Sequence, residues 1–334
     1  MTATRETLDA AIAREVEGLV ERYDFSAAAT VSHLSESENK VYLVRDPART
    51  EDYVIRVNSG RLAYHRPPAI ASELMWLIAL RRDTDIVVPD VLRAKDGALV
   101  QTLDAPDLDQ PRHAVVYSFL SGSEPPEDDL IPGFERLGEI SARMHLHAKR
   151  WTPPADFARH DWTPDAILDD GLNWGPWQAG VGVDGEPLRQ LTRLDAVLRG
   201  RLAALPTDRA HYGLIHADLR LANLLVDGDT TAIIDFDDCG HGWYLFDLAT
   251  ALSFLEERPD VPDLIASWLE GYRRVAAVPP AMEAEIPTLI MLRRLQLMGW
   301  VGYQQQHLDF AREIGPAFTV DTCRLAEDYL SRFT

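Results

Sequence analysis

The sequence predicts an α+β fold with a small β-rich N-terminal lobe and a larger, mostly helical C-terminal lobe. Residues 27–120 consist mainly of short β-branched or aromatic runs separated by polar turns, which is typical of strands. Residues 121–129 combine Gly, Pro and acidic residues and indicate a connector. Beyond it, apolar residues recur at helical spacing almost to the end of the chain. We therefore expect an N-terminal domain of residues 1–120 and a C-terminal domain of residues 121–334.

The N-terminal lobe is predicted to contain a leading helix, an antiparallel sheet and one further helix. In the leading helix, apolar residues from Leu8 to Leu19 share one face. The second helix covers residues 67–83, because Pro67 and Pro68 favour a helix start and apolar residues follow at helical spacing. Strands are predicted at residues 28–34, 40–44, 52–57, 85–94 and 113–120.

The C-terminal lobe combines predicted helices with one irregular insertion. Residues 151–185 are rich in Trp, Pro, Asp and Gly and have no clean period, so we expect them to shape an acceptor pocket. Trp162, Trp174 and Trp177 either line that pocket or close a small core beneath it. Helices are predicted at residues 134–150, 264–277, 288–306 and 321–333.

The charge balance excludes some classes of partner. The 334 residues include 33 Lys and Arg against 53 Asp and Glu, a net charge of −20. Such a field repels nucleic acid and anionic membrane surfaces, so we expect neither as a partner. A cationic small molecule would be attracted, although acidity also serves solubility alone.

The chain is expected to be a cytoplasmic protein. No apolar run approaches the length of a membrane span, and the N-terminal residues lack the apolar stretch of a signal peptide. Two cysteines are too few for a disulfide framework and fit a reducing compartment. The sequence leaves the oligomeric state open.

Acidic and amide side chains cluster around a predicted hairpin in residues 211–242. The Asp-Gly pair at residues 227–228 is a strong turn signal between two apolar runs. Asn223 precedes the first strand and Asp235 follows the second, so both are expected at one end of the ribbon, with Asp218 just upstream. One carboxylate and one carboxamide suit Mg²⁺, and a further Asp can orient a hydroxyl nucleophile for phosphoryl transfer.

The spacing of these residues resembles a known signature. His216, Asp218 and Asn223 form H-x-D-x-x-x-x-N, and Asp235 completes a following I-D, as in the aminoglycoside phosphotransferase and choline kinase-like family. The resemblance implies a bilobal protein-kinase-like fold in which Asp218 is the catalytic base and Asn223 and Asp235 bind Mg²⁺. It further implies that His216 supports the catalytic loop and that Asp247 hydrogen-bonds the loop backbone.

The resemblance extends to the nucleotide-binding positions of the N-terminal lobe. Arg56 stands where a kinase has Lys and would pair with Glu73, since Arg is always charged. Arg can also bind phosphate bidentately. The Gly-rich pattern of the phosphate-covering turn is absent, and a hinge that grips adenine is matched at residues 117–120. Arg220 matches a protein-kinase Lys that stabilises the transferred phosphoryl group. The implied nucleotide-binding residues are Ser37, Asn39, Arg56, Glu73, Tyr117 and Phe119.

The sequence therefore predicts an ATP- or GTP-dependent O-phosphotransferase that requires Mg²⁺. Its acceptor is a hydroxyl of a small molecule, either an antibiotic such as an aminoglycoside or nucleoside, as in antibiotic resistance, or a metabolite. A bacterial stress-type protein Ser/Thr kinase is the alternative within enzymes. A nucleotide-binding pseudokinase regulator is the alternative of another class. The roles of Asp237 and Asp238 stay open between the metal's water shell, the acceptor and simple solvation.

Overall fold

The chain forms two compact units in the computed structural model, which describes residues 5–60, 62–126, 130–169 and 174–333. Residues 127–129 of the predicted connector, which are acidic, and residues 170–173 of the predicted insertion lie outside the described residues. The first unit lies within Met1–Ser123, Pro153–Arg159 and Leu225–Asp237. The second unit lies within Glu124–Thr152, His160–Leu224 and Asp238–Thr334.

An antiparallel sheet forms the centre of the first unit, in the order β1-β2-β3-β6-β4, with β5 also paired to β6. The predicted run at residues 85–94 forms only the short strand β4, because Pro89 has no N–H to donate and interrupts the run. The short strand β5 was not predicted. The strands are β1 (Thr30–Glu36), β2 (Lys40–Arg45), β3 (Tyr53–Val57), β4 (Val91–Leu92), β5 (Gln101–Leu103) and β6 (Arg112–Ser118).

Two helices belong to the first unit. Helix α1 (Arg5–Leu19) buries Val16 and Leu19 in one core cluster with residues of β2, β3 and β6, as its apolar spacing predicts. Helix α2 (Pro67–Asp83) has the bounds predicted from the sequence, with prolines in its first turn. Its buried face carries Glu73 among apolar side chains, so this carboxylate needs a partner in the core.

The predicted Asp-Gly hairpin is present. Strands β8 (Leu224–Asp227) and β9 (Thr230–Ile233) pair with each other, and Gly228 adopts a positive φ of 57° that favours glycine in this turn. Asn223 is the residue before β8, and Asp235 follows β9 by two residues.

The division between the units differs from the predicted boundary at residue 120. The first stretch of the first unit runs to Ser123, and the hairpin also belongs to this unit, whereas the sequence placed residues 211–242 wholly in the C-terminal lobe. The physical reason is a pair of strand-like bridges, in which Val87 pairs with Ala232 and Ser123 pairs with Val226.

The second unit is mostly helical. Helix α10 begins twelve residues earlier than predicted, at Asp309, because packing of its buried face overrides the low helix propensity of Pro316. Within the described ranges, none of the helices has the length and apolar sequence that a bilayer span requires. The elements are α3 (Leu130–Arg150), α4 (Pro164–Leu168), α5 (Gly185–Leu202), β7 (Tyr212–Ile215), β10 (Gly240–Trp243), α6 (Phe246–Ala251), α7 (Val261–Arg273), α8 (Pro280–Glu283), α9 (Ile286–Gln304) and α10 (Asp309–Phe333).

Helices α3 and α7 approach each other closely through two glycines. A Cβ atom added at Gly138 would lie 1.9 Å from the carbonyl oxygen of Trp268, and one added at Gly271 would lie 1.8 Å from that of Glu135. No side chain fits at either position without moving a backbone. This contact fixes the helix pair that carries His145 and Tyr272.

Candidate active site

The loop that follows β7 carries the predicted catalytic residues and is anchored by one buried carboxylate. The backbone N–H groups of His216 and Ala217 donate to the two oxygens of Asp247, at 3.2 Å and 2.8 Å. Asp247 is fully buried. The contact that the resemblance implies for Asp247 is therefore present, and it holds the loop immediately before Asp218.

A buried histidine and a tyrosine fix Asp247 in turn. Desolvation lowers the pKa of His145 despite the opposing effect of Asp247, so the imidazole is neutral at pH 7. Its Nε2–H donates to Asp247 at 2.9 Å, which leaves Nδ1 to accept from the Tyr272 hydroxyl at 3.1 Å. The chain of three side chains extends the anchoring of the loop into the helical core.

Two non-glycine residues beside the predicted catalytic groups have left-handed backbone. Ala217 has φ 65° and Asp235 has φ 64°. Such conformations are strained for residues with a Cβ atom and often occur at functional sites. Ala217 directly precedes Asp218, and Asp235 is itself one of the predicted metal ligands.

Substitutions at Ala217 test this strain. We expect Ala217→Gly to change the free energy of unfolding by less than about 1 kcal/mol, because relief of strain offsets the entropy cost of glycine. Ala217→Val should lose about 1–3 kcal/mol, since a β-branched residue is poorly tolerated at positive φ. Urea unfolding of both variants measures the difference, and equal stability of the two would contradict the left-handed conformation.

Asp218 makes a different set of contacts with each carboxylate oxygen. Its Oδ1 accepts from the Arg293 guanidinium at 2.7 Å. Its Oδ2 accepts from Asn223 Nδ2 at 3.2 Å and lies 3.5 Å from Arg220 Nε. The predicted catalytic residues Asp218 and Arg220 are thus neighbours, and buried His216 precedes them on the same loop.

The orientation of Asn223 fits a metal ligand. Its Nδ2 donates to the main-chain oxygen of Asp218 at 2.8 Å as well as to Oδ2, so the amide oxygen points away from both and is the atom left for a cation. The described residues include no group of three or more His, Cys, Asp or Glu side chains suited to a metal. Asn223 lies in the second unit and the exposed Asp235 in the first.

A cavity of about 420 Å³ lies within the first unit. Its walls are mostly side chains of the sheet, α2 and the β8–β9 hairpin, with Asp235 among them. The end of β6 and the two residues after it contribute the stretch from Tyr117 to Leu120, which is the predicted hinge. All six predicted nucleotide-binding residues line this one cavity: Ser37, Asn39, Arg56, Glu73, Tyr117 and Phe119.

Arg56 and Glu73 form a buried, bidentate ion pair. Arg56 donates through both terminal nitrogens to the two oxygens of Glu73, each at 2.8 Å. The Tyr117 hydroxyl also donates to Glu73, at 3.2 Å. The arginine and glutamate side chains are 7% and 1% exposed, so this pair is shielded from water, unlike the weak salt bridges of protein surfaces.

Asp237 is the centre of a second buried network. It accepts hydrogen bonds from Asn39 Nδ2 at 2.7 Å, Asn58 Nδ2 at 3.1 Å and His65 Nε2 at 2.8 Å, and lies 3.7 Å from Arg56. Burial alone raises the pKa of Asp237, but His65 and Arg56 outweigh it and hold the pKa well below its usual range. Simple solvation is therefore wrong for this carboxylate, which joins the segment that carries Asp235 to the cavity wall.

The first unit pairs a basic strand residue with a helix glutamate beside a cavity, and the second holds an Asp and an Asn five residues apart on an anchored loop. Protein-kinase-like enzymes use these groups to transfer phosphoryl groups, and the fold and site define the chain as a kinase of this class. The sequence pattern of the phosphotransferase enzyme family (APH) matches residues 30–284. The chain belongs to this family, and the predicted α+β protein-kinase-like fold is confirmed.

Known proteins resemble the chain over most of its length. A microcompartment-associated aminopropanol kinase is 41% identical, with a TM-score of 0.87 over 96% of this chain and 98% of that one. An amicoumacin kinase of Bacillus subtilis (strain 168) is 25% identical over 83% of this chain and 81% of its own length. Amicoumacin kinase hAmiN, solved with AMP-PNP, Ca²⁺ and Ami, is 21% identical with a TM-score of 0.76 over 96% of both chains.

Sequence reasoning missed several residues of the site. Arg293 contacts Asp218 and was assigned no role, although a charged residue in the apolar helix α9 signals a buried partner. Asn58 and His65 bind Asp237 from the loop after β3, and no pattern in the sequence links them to it. His145 was not among the predicted site residues, and its hydrogen bonds to Asp247 and Tyr272 help to anchor the loop that carries Asp218.

Proposed function

We propose that the chain transfers the γ-phosphoryl group of ATP or GTP to a hydroxyl group of a small amino alcohol. The observation that carries this proposal is the 41% identity to the aminopropanol kinase over nearly the whole chain. The net charge of −20 supports it, because an amino alcohol is cationic at neutral pH and the protein's field attracts it.

The cavity of the first unit is the proposed nucleotide site. Arg56, held by Glu73, directs positive charge towards the phosphates, and Ser37 and Asn39 cover them in place of a Gly-rich turn. The base lies against the hinge. The backbone N–H groups of Ser118 and Phe119 already donate to the main-chain oxygens of Asp90 and Asp52, respectively. The backbone contacts to the base therefore fall to their carbonyl oxygens or to Leu120.

Asn223 and Asp235 are the proposed ligands of Mg²⁺. An amide oxygen and a carboxylate are hard oxygen ligands, and two protein ligands suffice because water and phosphate oxygens complete the octahedral shell of Mg²⁺. When bound, the metal neutralises charge on the phosphates. On the protein side, Asp218 orients the acceptor hydroxyl for in-line attack, and Arg220 stabilises charge on the transferred group.

Phosphorylation of an antibiotic is a second candidate function. It is favoured by the similarity to the amicoumacin kinase of Bacillus subtilis, at 25% identity. A role in antibiotic resistance and an aminoglycoside or nucleoside acceptor belong to this candidate. The protein Ser/Thr kinase and the pseudokinase have no comparable support, because these relatives are named as kinases of small molecules.

Release of ADP from ATP, or of GDP from GTP, with Mg²⁺ across an acceptor panel tests the proposal. We expect saturable release with 1-amino-2-propanol, weak release with propan-2-ol, which lacks the amine, and none above background with 1-aminopropane, which lacks the hydroxyl. Release only with aminoglycosides, nucleoside antibiotics or amicoumacin would favour the second candidate. Release with a protein substrate alone, or nucleotide binding without release, would overturn the small-molecule proposal.

A further inference from the structure

Asp218 is held by an arginine that lies 75 residues further along the chain. Arg293 is on α9, and its side chain is only 4% exposed. Its NH2 group donates to Asp218 Oδ1 at 2.7 Å, a shorter contact than those of the same carboxylate with Asn223 and Arg220. A charge-assisted hydrogen bond shielded from water is strong and directional, so Oδ1 has a fixed position.

The guanidinium of Arg293 is itself held on all three nitrogens. Nε donates to Ser253 Oγ at 3.0 Å, and NH1 donates to Gln296 Oε1 at 2.9 Å. Ser253 donates in turn to the main-chain oxygen of Thr250 at 2.7 Å. Because the guanidinium is planar, these contacts fix its orientation as well as its position.

The two oxygens of Asp218 are therefore not equivalent. Oδ1 faces the buried guanidinium, whereas the contacts of Oδ2 within the described part of the chain are longer, at 3.2 Å with Asn223 and 3.5 Å with Arg220. The Asp218 side chain is 17% exposed, so part of the carboxylate is open to solvent. The less tightly held oxygen is the one that can accept a hydrogen bond from an incoming hydroxyl group.

We propose that Arg293 is a positioning residue that anchors Asp218 Oδ1 so that Oδ2 receives the acceptor hydroxyl. The inference rests on the proposed function and assigns the two oxygens separate tasks. In the step it serves, the acceptor oxygen forms a bond to the γ-phosphorus while the bond from that phosphorus to the leaving ADP oxygen breaks. The hydroxyl proton passes to Oδ2, and Arg293 gives and takes no proton.

The neighbouring Arg294 provides a matched control. It lies on the same helix, its side chain is 1% exposed, and it pairs with Glu256 at 2.8 Å and with Glu257. Replacing either arginine removes a buried charge partner and destabilises the fold. A purely structural role of Arg293 predicts the same pattern of effects for both residues, whereas a positioning role predicts a loss of turnover specific to Arg293.

The test compares Arg293→Lys, Arg293→Ala, Arg294→Lys and Arg294→Ala with 1-amino-2-propanol as acceptor. We expect Arg293→Ala to lower kcat by about 10²-fold or more, with KM for ATP unchanged within about twofold. Arg293→Lys should also lose turnover, because one ammonium cannot make the three contacts. Guanidinium ion at about 50 mM, far below denaturing concentrations, should partly restore kcat of Arg293→Ala in a saturable manner and should not do so for Arg294→Ala.

The outcomes separate this inference from the proposed function. If the wild-type protein shows no acceptor-dependent ADP release, the amino alcohol is refuted as the acceptor. The positioning role of Arg293 is then tested by crystal structures of the variants. They should show the Asp218 carboxylate rotated in Arg293→Ala and unmoved in Arg294→Lys. An unmoved carboxylate in Arg293→Ala, or wild-type kcat in a folded Arg293 variant, overturns the inference. If Arg293→Ala does not fold, Arg293→Lys gives the same two readings.

Discussion

Asp218→Asn is expected to lower kcat by about 10²–10⁴-fold, the range that a positioned general base contributes. The amide of the variant cannot take the hydroxyl proton. In the wild type, Arg293 donates to Oδ1 at 2.7 Å, so the variant must place either its amide oxygen or its NH₂ group at this position. Nucleotide affinity should stay within about twofold, because Asp218 does not line the cavity proposed for the nucleotide. Steady-state kinetics and ATP titration of the same preparation measure both quantities.

Asp229→Asn is the matched control for this substitution. Asp229 is an exposed residue in the turn between β8 and β9. Its substitution by Asn removes the same charge but does not alter the loop that carries Asp218. Its kcat should equal that of the wild type. Near wild-type turnover by Asp218→Asn would instead show that Asp218 is not the catalytic base.

Asp237→Ala is expected to cause the largest loss of stability, about 3–5 kcal/mol in the free energy of unfolding at neutral pH. The substitution leaves Asn39 and His65 without their buried acceptor and removes the carboxylate 3.7 Å from Arg56, and unsatisfied buried polar groups are costly. Two of these side chains line the cavity, so ATP affinity should fall as well. Urea unfolding and ATP titration measure the two effects. The exposed turn residue Asp229 provides the control, since Asp229→Ala should retain wild-type stability and ATP affinity.

The same carboxylate predicts a pH dependence. Its pKa is depressed in the folded protein, so its stabilising contribution is fully present above the unfolded pKa of about 3.9 and disappears as pH falls through the lower folded value. The difference in unfolding free energy between wild type and Asp237→Ala should therefore be constant from pH 7 to 5 and shrink below about pH 4. A difference that grows on acidification would contradict the buried ion pair.

Local features of the site could be predicted from the sequence because they depend on short spacings. The interval from Asp218 to Asn223 and the turn at residues 227–228 are fixed by neighbouring residues, as are the bounds of α2. The six nucleotide-binding residues were predicted from a resemblance over the whole N-terminal lobe. All six line one cavity in the structure. Their roles in binding remain predictions.

The contacts of Arg293 and Asp237 could not be predicted, since they join distant parts of the chain. Arg293 and Asp218 are separated by 75 residues, and Asn39 and Asp237 by 198. A carboxylate beside Phe236 looks the same in sequence whether it faces solvent or a buried histidine. Only the folded chain determines which polar groups share a desolvated space, and burial then requires that they pair.

Mass spectrometry of the acceptor shows whether the protein phosphorylates a small amino alcohol and whether Asp218 is needed. The protein is incubated with 1-amino-2-propanol, ATP and Mg²⁺, and in parallel with EDTA in place of Mg²⁺ and with Asp218→Asn. We expect a phosphomonoester of the acceptor, formed in equal amount with ADP, that is absent with EDTA and nearly absent with the variant. Release of inorganic phosphate without a phosphorylated acceptor, or a product formed equally well by Asp218→Asn, would contradict it.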